Sequence, residues 1–153
     1  MTSEPATFSP EIVATLAQHA PGPLAAMRQQ YAAVWSDLDP RLAELCRQRV
    51  AMLQADAPAN TATEAQGVDA ATLAALARWP DSPLFTEAEK ACLAYTEMFV
   101  ADVAGITEAD TQPVLDALGG GGLYALTNAL LVLDQQQRIA LSLGRLFRTG
   151  GTP

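Results

Sequence analysis

Apolar residues along the chain recur at intervals of three and four, and no segment alternates with the two-residue period of a strand. Intervals of three and four place apolar side chains on one face of an α-helix. The longest such pattern covers 123–147, where the positions expected to point inward are Leu123, Leu126, Leu130, Leu133, Ile139, Leu141 and Leu143. The chain is therefore predicted to fold as an all-α protein of about seven helices.

Capping residues mark where several of these helices begin. Ser9 and Asp39 each precede a proline, which is favoured at the first helical position. Asp69 precedes another apolar pattern, and Thr86 has a glutamate three residues later, as in a capping box. The four glycines at 119–122 lack the lysine of a phosphate-binding loop, so they predict a flexible connection between two helices.

The 153 residues of the chain are enough for one domain with a substantial core. Proline-punctuated segments at 21–23 and 78–85 are expected to separate helices, but no linker or internal repeat divides the pattern. Residues 9–148 are therefore interpreted as one helical domain, with short tails at 1–8 and 149–153.

The charge balance of the chain is acidic. Its formal net charge is −8, from 9 Lys and Arg against 17 Asp and Glu. Without a basic stripe, neither a nucleic acid nor an anionic membrane surface is an expected partner. No apolar run approaches the ~20 residues of a membrane span, and the first residues lack the features of a secretory signal. These observations predict a soluble, cytoplasmic protein.

Three segments together carry a resemblance to a known family. They are Leu38–Gln54 (from Leu-Asp-Pro-Arg to Met-Leu-Gln), Trp79–Glu97 (from Trp-Pro-Asp-Ser-Pro to Tyr-Thr-Glu) and Gln137–Ala140 in the last long helix. Their order and spacing resemble the carboxymuconolactone decarboxylase / alkylhydroperoxidase-D-like (AhpD-like) superfamily over about residues 20–147. The resemblance implies an AhpD-like helical domain that assembles as a homotrimer or hexamer and uses no cofactor.

The resemblance also locates the position of a known active site. Peroxidase members of the superfamily have a glutamate, a Cys-x-x-Cys twelve residues later and a histidine four residues after the second cysteine. The matching residues of this chain are Glu44, Asp56, Ala59 and Thr63. Only the glutamate is retained. Because the thiolate is the nucleophile of that chemistry, dithiol peroxide reduction is not expected here.

Four residues are candidates for a site. Glu44 and Asp56 could act as catalytic, proton-handling groups, and Thr63 and Trp79 could contact a substrate. Each has a structural alternative. Asp56 could cap a helix that restarts before Pro58, and Glu44 could be a solvated residue on a polar helix face. Thr63 could be an ordinary member of a polar segment, and Trp79 could pack in the core or at a subunit interface.

The two cysteines and the one histidine are not expected to form a reactive site. Cys46 and Cys92 lie on apolar helix faces, which predicts buried, inert thiols. Cys46 lies about 200° around the helix from Glu44 at about 100° per residue, so it is not expected to replace the missing nucleophile. His19 lies outside the motif without a cluster of other ligands, so no metal site is expected.

The residues leave more than one function open. One is a cofactor-independent enzyme that acts on a small organic acid, lactone or related metabolite, with Glu44 and Asp56 moving protons. Another is a non-catalytic, oligomeric binding or scaffold protein, since three of the four motif positions are replaced. A residual peroxidase that uses Cys46 or Cys92 is the third alternative.

Overall fold

The computed structural model describes residues 8–54 and 67–148. Six α-helices lie in those two ranges: α1 (Pro10–His19), α2 (Pro21–Trp35), α3 (Pro40–Gln54), α4 (Ala70–Ala75), α5 (Glu87–Asp102) and α6 (Glu108–Arg148). Short 3-10 helices cover Leu76–Asp81 and Val103–Gly105. Neither range contains a strand, so the predicted all-α fold is confirmed.

Helices α1, α3, α4 and α5 begin at the predicted capping residues. The side chains of Ser9, Asp39 and Asp69 each accept a hydrogen bond from the backbone N–H three residues on. At α5 the capping box is complete. The Thr86 hydroxyl accepts from the Glu89 N–H at 3.1 Å, and the Glu89 carboxylate accepts from the Thr86 N–H at 2.8 Å. Local side-chain chemistry therefore sets these helix starts.

Two proline segments are more helical than the sequence predicts. The predicted break between α1 and α2 lies at Ala20, and residues 21–23 form the first turn of α2. The N–H groups of a first turn have no partner within the helix, so a proline loses nothing there. Residues Leu76–Asp81 form a 3-10 helix that includes Pro80, with non-helical backbone angles at Arg78. The predicted loop at 78–85 therefore begins inside a 3-10 helix that ends at Asp81.

The glycine run in α6 breaks the helix at one position. Gly119 has φ 73° and ψ 174°, a conformation that is essentially restricted to glycine. The next three glycines continue the helix, so the predicted four-residue flexible connection was wrong. We call the parts of α6 before and after Gly119 its first and second arms. If the two arms are counted separately, the described residues contain seven α-helical segments, which is the predicted number.

Helices α3 and α5 run parallel, and the residues that pair between them are 48 positions apart in the sequence. Arg41 Nε donates to Glu89 Oε1 at 2.7 Å, across a separation of 48 residues. Two turns later, Arg49 Nε donates to Glu97 Oε1 at 2.7 Å, again across 48 residues. Leu45, midway between the two arginines, is fully buried. An apolar layer between two ion pairs thus fixes the register of α3 against α5.

Apolar side chains from α2, α3, α5 and α6 form the main core. Its most completely buried members are Cys46, Val50, Cys92, Val114, Leu126, Ala129 and Leu130. A second cluster joins α3 and α5 to the 3-10 helix, and a third joins α1 to the second arm of α6. Phe8, which the sequence interpretation placed in the N-terminal tail, is buried in that third cluster beside Ile12 and Ala140.

By length and composition α6 could also cross a membrane. An 18-residue window of Glu108–Leu146 has a mean hydropathy of 1.2, although the segment contains no unbroken apolar run of that length. Of this window 22% is buried, and Leu126, Leu130 and Leu133 pack into the main core. A core helix of a soluble protein meets the same criterion, so α6 is weak evidence for a membrane.

Candidate functional site

Glu44 lies on α3 with its carboxylate buried in a hydrogen-bonded cluster. Its side chain is 10% exposed, so the solvated alternative drawn from the sequence was wrong. Arg47 binds both carboxylate oxygens, with Nε 2.9 Å from Oε2 and Nη2 2.6 Å from Oε1. Gln48 Nε2 donates to Oε1 at 2.8 Å. We refer to these three residues as the Glu44 cluster.

The spacing of the Glu44 cluster along α3 explains its geometry. Residues three and four positions after Glu44 lie on the same helix face, so Arg47 and Gln48 reach its carboxylate without any loop. A carboxylate has about four lone-pair sites, and the three hydrogen bonds occupy both sites of Oε1 and one of Oε2. One acceptor site on Oε2 is left for a further donor.

Tyr31 and Trp35 of α2 pack against the main core, and the charges of Glu44 and Arg47 act on the Tyr31 phenol. Burial raises the pKa of Tyr31 above its ordinary value, the charge of Arg47 opposes that rise, and the charge of Glu44 adds to it. The Tyr31 ring meets the Trp35 ring edge-on, with centroids 5.8 Å apart and planes at 63°. At neutral pH Tyr31 is therefore a protonated phenol, able to donate a hydrogen bond.

Sequence reasoning missed Arg47, Gln48 and Tyr31. The spacing of Arg47 and Gln48 from Glu44 was a usable signal, because i, i+3 and i, i+4 pairs meet on a helix surface. No comparable signal connects Tyr31 to Glu44. The effect of Glu44 on Tyr31 depends on how the helices pack, and that is decided by tertiary structure.

Two of the four predicted site residues, Asp56 and Thr63, lie outside the described residues. The third, Trp79, is buried in the second apolar cluster, away from the Glu44 cluster's hydrogen bonds. Its indole Nε1 donates to Glu97 Oε1 at 2.6 Å, and this carboxylate oxygen also binds Arg49. Trp79 thus attaches the 3-10 helix to α3 and α5, and its substrate contact stays a prediction.

The two thiols are buried in the main core, as predicted. Burial raises the pKa of Cys46 to about 12, partly opposed by a hydrogen bond with Thr96. Burial also raises the pKa of Cys92 to about 11, with a smaller rise from the charge of Glu89. Because the thiolate is the reactive form, neither cysteine is suited to attack a peroxide.

We expect native protein to react with Ellman's reagent at neutral pH at least a hundredfold more slowly than denatured protein, which should release two thiols. Burial blocks access and suppresses the thiolate. The folded pKa values exceed the ordinary value of 9.0, so neutral thiols contribute stability below that pH. The free energy of unfolding should therefore fall between about pH 9 and about pH 12. Fast labelling of Cys46 in the native state would contradict this prediction.

Metal-binding side chains do not gather in the described part of the chain. No group of three or more His, Cys, Asp and Glu side chains occurs there in an arrangement that could hold a metal ion. His19 is exposed in the last turn of α1. The Glu44 cluster itself offers a carboxylate, a guanidinium and an amide.

An open groove lies between α2 and the second arm of α6. It has a volume of about 510 Å³ and is lined by Ala33, Val34, Asp37, Gly121, Tyr124, Ala125 and Asn128. Most of the lining is apolar, and Tyr124 at its edge is 74% exposed. Glu44 is not among the lining residues, so this groove is distinct from the Glu44 cluster.

Comparison with known proteins gives a likeness to solved structures. No protein-family model matches the chain, and no curated protein matches it. A crystal structure of a protein of unknown function from Agrobacterium tumefaciens, provisionally described as the antioxidant defence protein AhpD, superposes with a TM-score of 0.71. The match covers 82% of this chain and 90% of that chain, at 20% sequence identity. The two chains share a fold. At this identity the likeness shows the fold alone, and it agrees with the AhpD-like helical fold implied by the sequence.

Proposed function

We propose that this chain is an AhpD-like protein that works without a dithiol pair, as a cofactor-independent enzyme on a small organic acid, lactone or related metabolite. Glu44 accepts a proton from the substrate. The observation that carries the proposal is the buried Glu44 carboxylate, held by Arg47 and Gln48 with one acceptor site left on Oε2. Such a group is positioned before any substrate arrives.

The Glu44 cluster has the properties that proton transfer requires. Three hydrogen bonds hold the carboxylate in one orientation, so little of its freedom is lost when a substrate binds. Glu44 and Arg47 keep exposed fractions of 10% and 18%, which leaves an approach from solvent. A positioned general base typically contributes about 10²–10⁴-fold to a rate. Asp56 and Thr63 are proposed to complete the site.

The residual peroxidase alternative receives no support from the two thiols. A peroxide needs an accessible thiolate, and burial keeps Cys46 and Cys92 protonated and out of solvent. The comparison structure carries a provisional antioxidant description, and that description belongs to the other protein. We therefore do not extend peroxide reduction to this chain.

A non-catalytic binding or scaffold protein is the second candidate function. The observation in its favour is that Arg47 already neutralises Glu44 within one helix, so the pair needs no ligand. The predicted homotrimer or hexamer is a proposal in both cases, as is the cytoplasmic location. Exposed Tyr124, Leu131 and Leu146 on α6 are candidates for burial between subunits.

Replacing Glu44 with glutamine tests the proposed enzyme. The protein would be incubated with a panel of small organic acids and lactones, and their consumption followed by proton NMR. We expect the Glu44→Gln variant to lose at least about a hundredfold in kcat/KM on any substrate that the wild type consumes, because an amide cannot take the proton.

Glu87 supplies the matched control, because its side chain is 93% exposed in the first turn of α5. Glu87→Gln should leave turnover unchanged. Equal rates for wild type and Glu44→Gln would refute Glu44 as the base. A panel on which the wild type consumes nothing would favour the binding or scaffold alternative.

A further inference from the structure

The groove between α2 and the second arm of α6 has the size of a small-molecule site. Its volume is about 510 Å³, within the range in which proteins bind small ligands. Ala33 and Val34 of α2 and Ala125 of α6 supply apolar walls. The ring of Tyr124 at its edge is 74% exposed. The groove therefore has room for the apolar body of a ligand.

The charge at one end of this groove is negative and uncompensated. Asp37 lies two residues beyond the end of α2, and it is exposed. The C-terminus of a helix is the negative end of its dipole, so a carboxylate there is unfavourable. The last turn of α2 has no basic residue, and no ion pair among the described residues involves Asp37. None of the described lining residues is a lysine or an arginine.

Asn128 adds a hydrogen-bond acceptor on the α6 side of the groove. Its Nδ2 donates to the backbone carbonyl oxygen of Tyr124 at 2.8 Å, which holds the amide nitrogen against the helix. No hydrogen bond among the described residues occupies the amide oxygen Oδ1. An ammonium group has three donors and no acceptor, and the face of a tyrosine ring attracts a cation. The polar groups of the groove thus match a positively charged ligand.

We propose that this groove binds a small organic amine, an alkylammonium or arylammonium ion. Its charged head lies at Asp37 and Asn128, and its apolar body lies along the walls from α2 and α6. The net charge of −8 also favours a cation over an anion at the surface. The inference goes beyond the proposed proton transfer and does not depend on it, because no residue of the Glu44 cluster lines the groove.

Titration with 2-phenylethylamine, an ammonium ion at neutral pH, tests this proposal. 2-Phenylethanol is the control ligand, because it has the same ring and chain with a neutral hydroxyl. Shifts of the Gly121 backbone amide and the Asn128 side-chain amide in ¹H–¹⁵N spectra report binding. We expect the amine to bind at least about fivefold more tightly than the alcohol at low salt. In about 1 M NaCl this advantage should disappear, because exposed charges are screened.

Two matched pairs of variants locate the site. Asp37→Asn should reduce the affinity for the amine to that for the alcohol. Asp81→Asn makes the same change of charge at an exposed position outside the groove and should leave both affinities unchanged. Gly121→Leu should fill the groove and abolish binding of both ligands. Gly120→Leu is its control, because a Cβ atom at either glycine meets no heavy atom within 4 Å and only Gly121 lines the groove. Leucine favours a helix more than glycine does, so both variants should fold.

Several results would overturn the proposal. They are equal affinities of the wild type for the amine and the alcohol, an amine affinity that Asp37→Asn leaves unchanged, and retained binding in Gly121→Leu. Sedimentation analysis tests the competing occupant, a second copy of the chain. An oligomer that Gly121→Leu dissociates, with no amine bound by the wild type, would make the groove a contact between subunits. Glu44→Gln should bind the amine as the wild type does, so failure of the proposed enzyme and failure of this site are distinguishable.

Discussion

Replacing Arg47 with leucine is expected to lower the free energy of unfolding by about 3 kcal/mol, because it leaves the Glu44 carboxylate buried with one of its three hydrogen bonds. Removing one partner of a buried pair costs far more than the pair's net contribution, since the remaining charge cannot recover its hydration. Urea unfolding followed by circular dichroism measures this loss directly.

A double variant distinguishes the cost of leaving the Glu44 charge unpaired from the cost of losing the packing of the Arg47 side chain. Glu44→Leu combined with Arg47→Leu removes both charges, and most of the stability should return, because an apolar pair can replace a buried ion pair at little cost. Arg138→Leu is the exposed control. Arg138 is 64% exposed, and its partner Asp134 also accepts from Gln54, so the loss should stay below about 1 kcal/mol. Equal losses at Arg47 and Arg138 would show that the Glu44 cluster is effectively solvated.

Two adjacent glycines in α6 are expected to respond to alanine with opposite signs. Gly119→Ala should lower the free energy of unfolding by about 1–3 kcal/mol, because φ 73° with ψ 174° is a conformation that a Cβ atom makes unfavourable. Gly120→Ala should raise it by about 0.5–1 kcal/mol, because Gly120 is helical and alanine loses less backbone freedom there.

This pair of variants is well matched. A Cβ atom added at Gly119 or at Gly120 would meet no heavy atom within 4 Å, so packing contributes to neither result. Urea unfolding of both variants under the same conditions therefore measures the contribution of the backbone conformation to the free energy of unfolding. If both alanines stabilised the protein, α6 would be continuous through Gly119 in solution.

The helix starts were largely predictable, because they depend on residues that are close in sequence. Ser9, Asp39, Asp69 and Thr86 each bond to a backbone N–H within three residues, so the local pattern determines the cap. The break at Gly119 was only partly predictable. Any of the four glycines could adopt a positive φ, and the packing of the two α6 arms selects one.

The candidate site was also only partly predictable from the sequence. Glu44 was identifiable from the resemblance, and its contacts with Arg47 and Gln48 follow from helical spacing. Its burial was not predictable, because it depends on how the helices pack around α3. The pattern of polar residues on α3 indicated a solvated face. The structure instead buries the Glu44 carboxylate in hydrogen bonds with Arg47 and Gln48.

The sequence by itself determined the all-α class and most helix starts, since each is a property of residue types at short spacing. Tertiary structure decided that Glu44 is buried in hydrogen bonds with Arg47 and Gln48 and that Trp79 joins the 3-10 helix to Glu97. Burial and contacts between helices arise from how the helices pack, and hydrophobic periodicity specifies which face is apolar without specifying its neighbour.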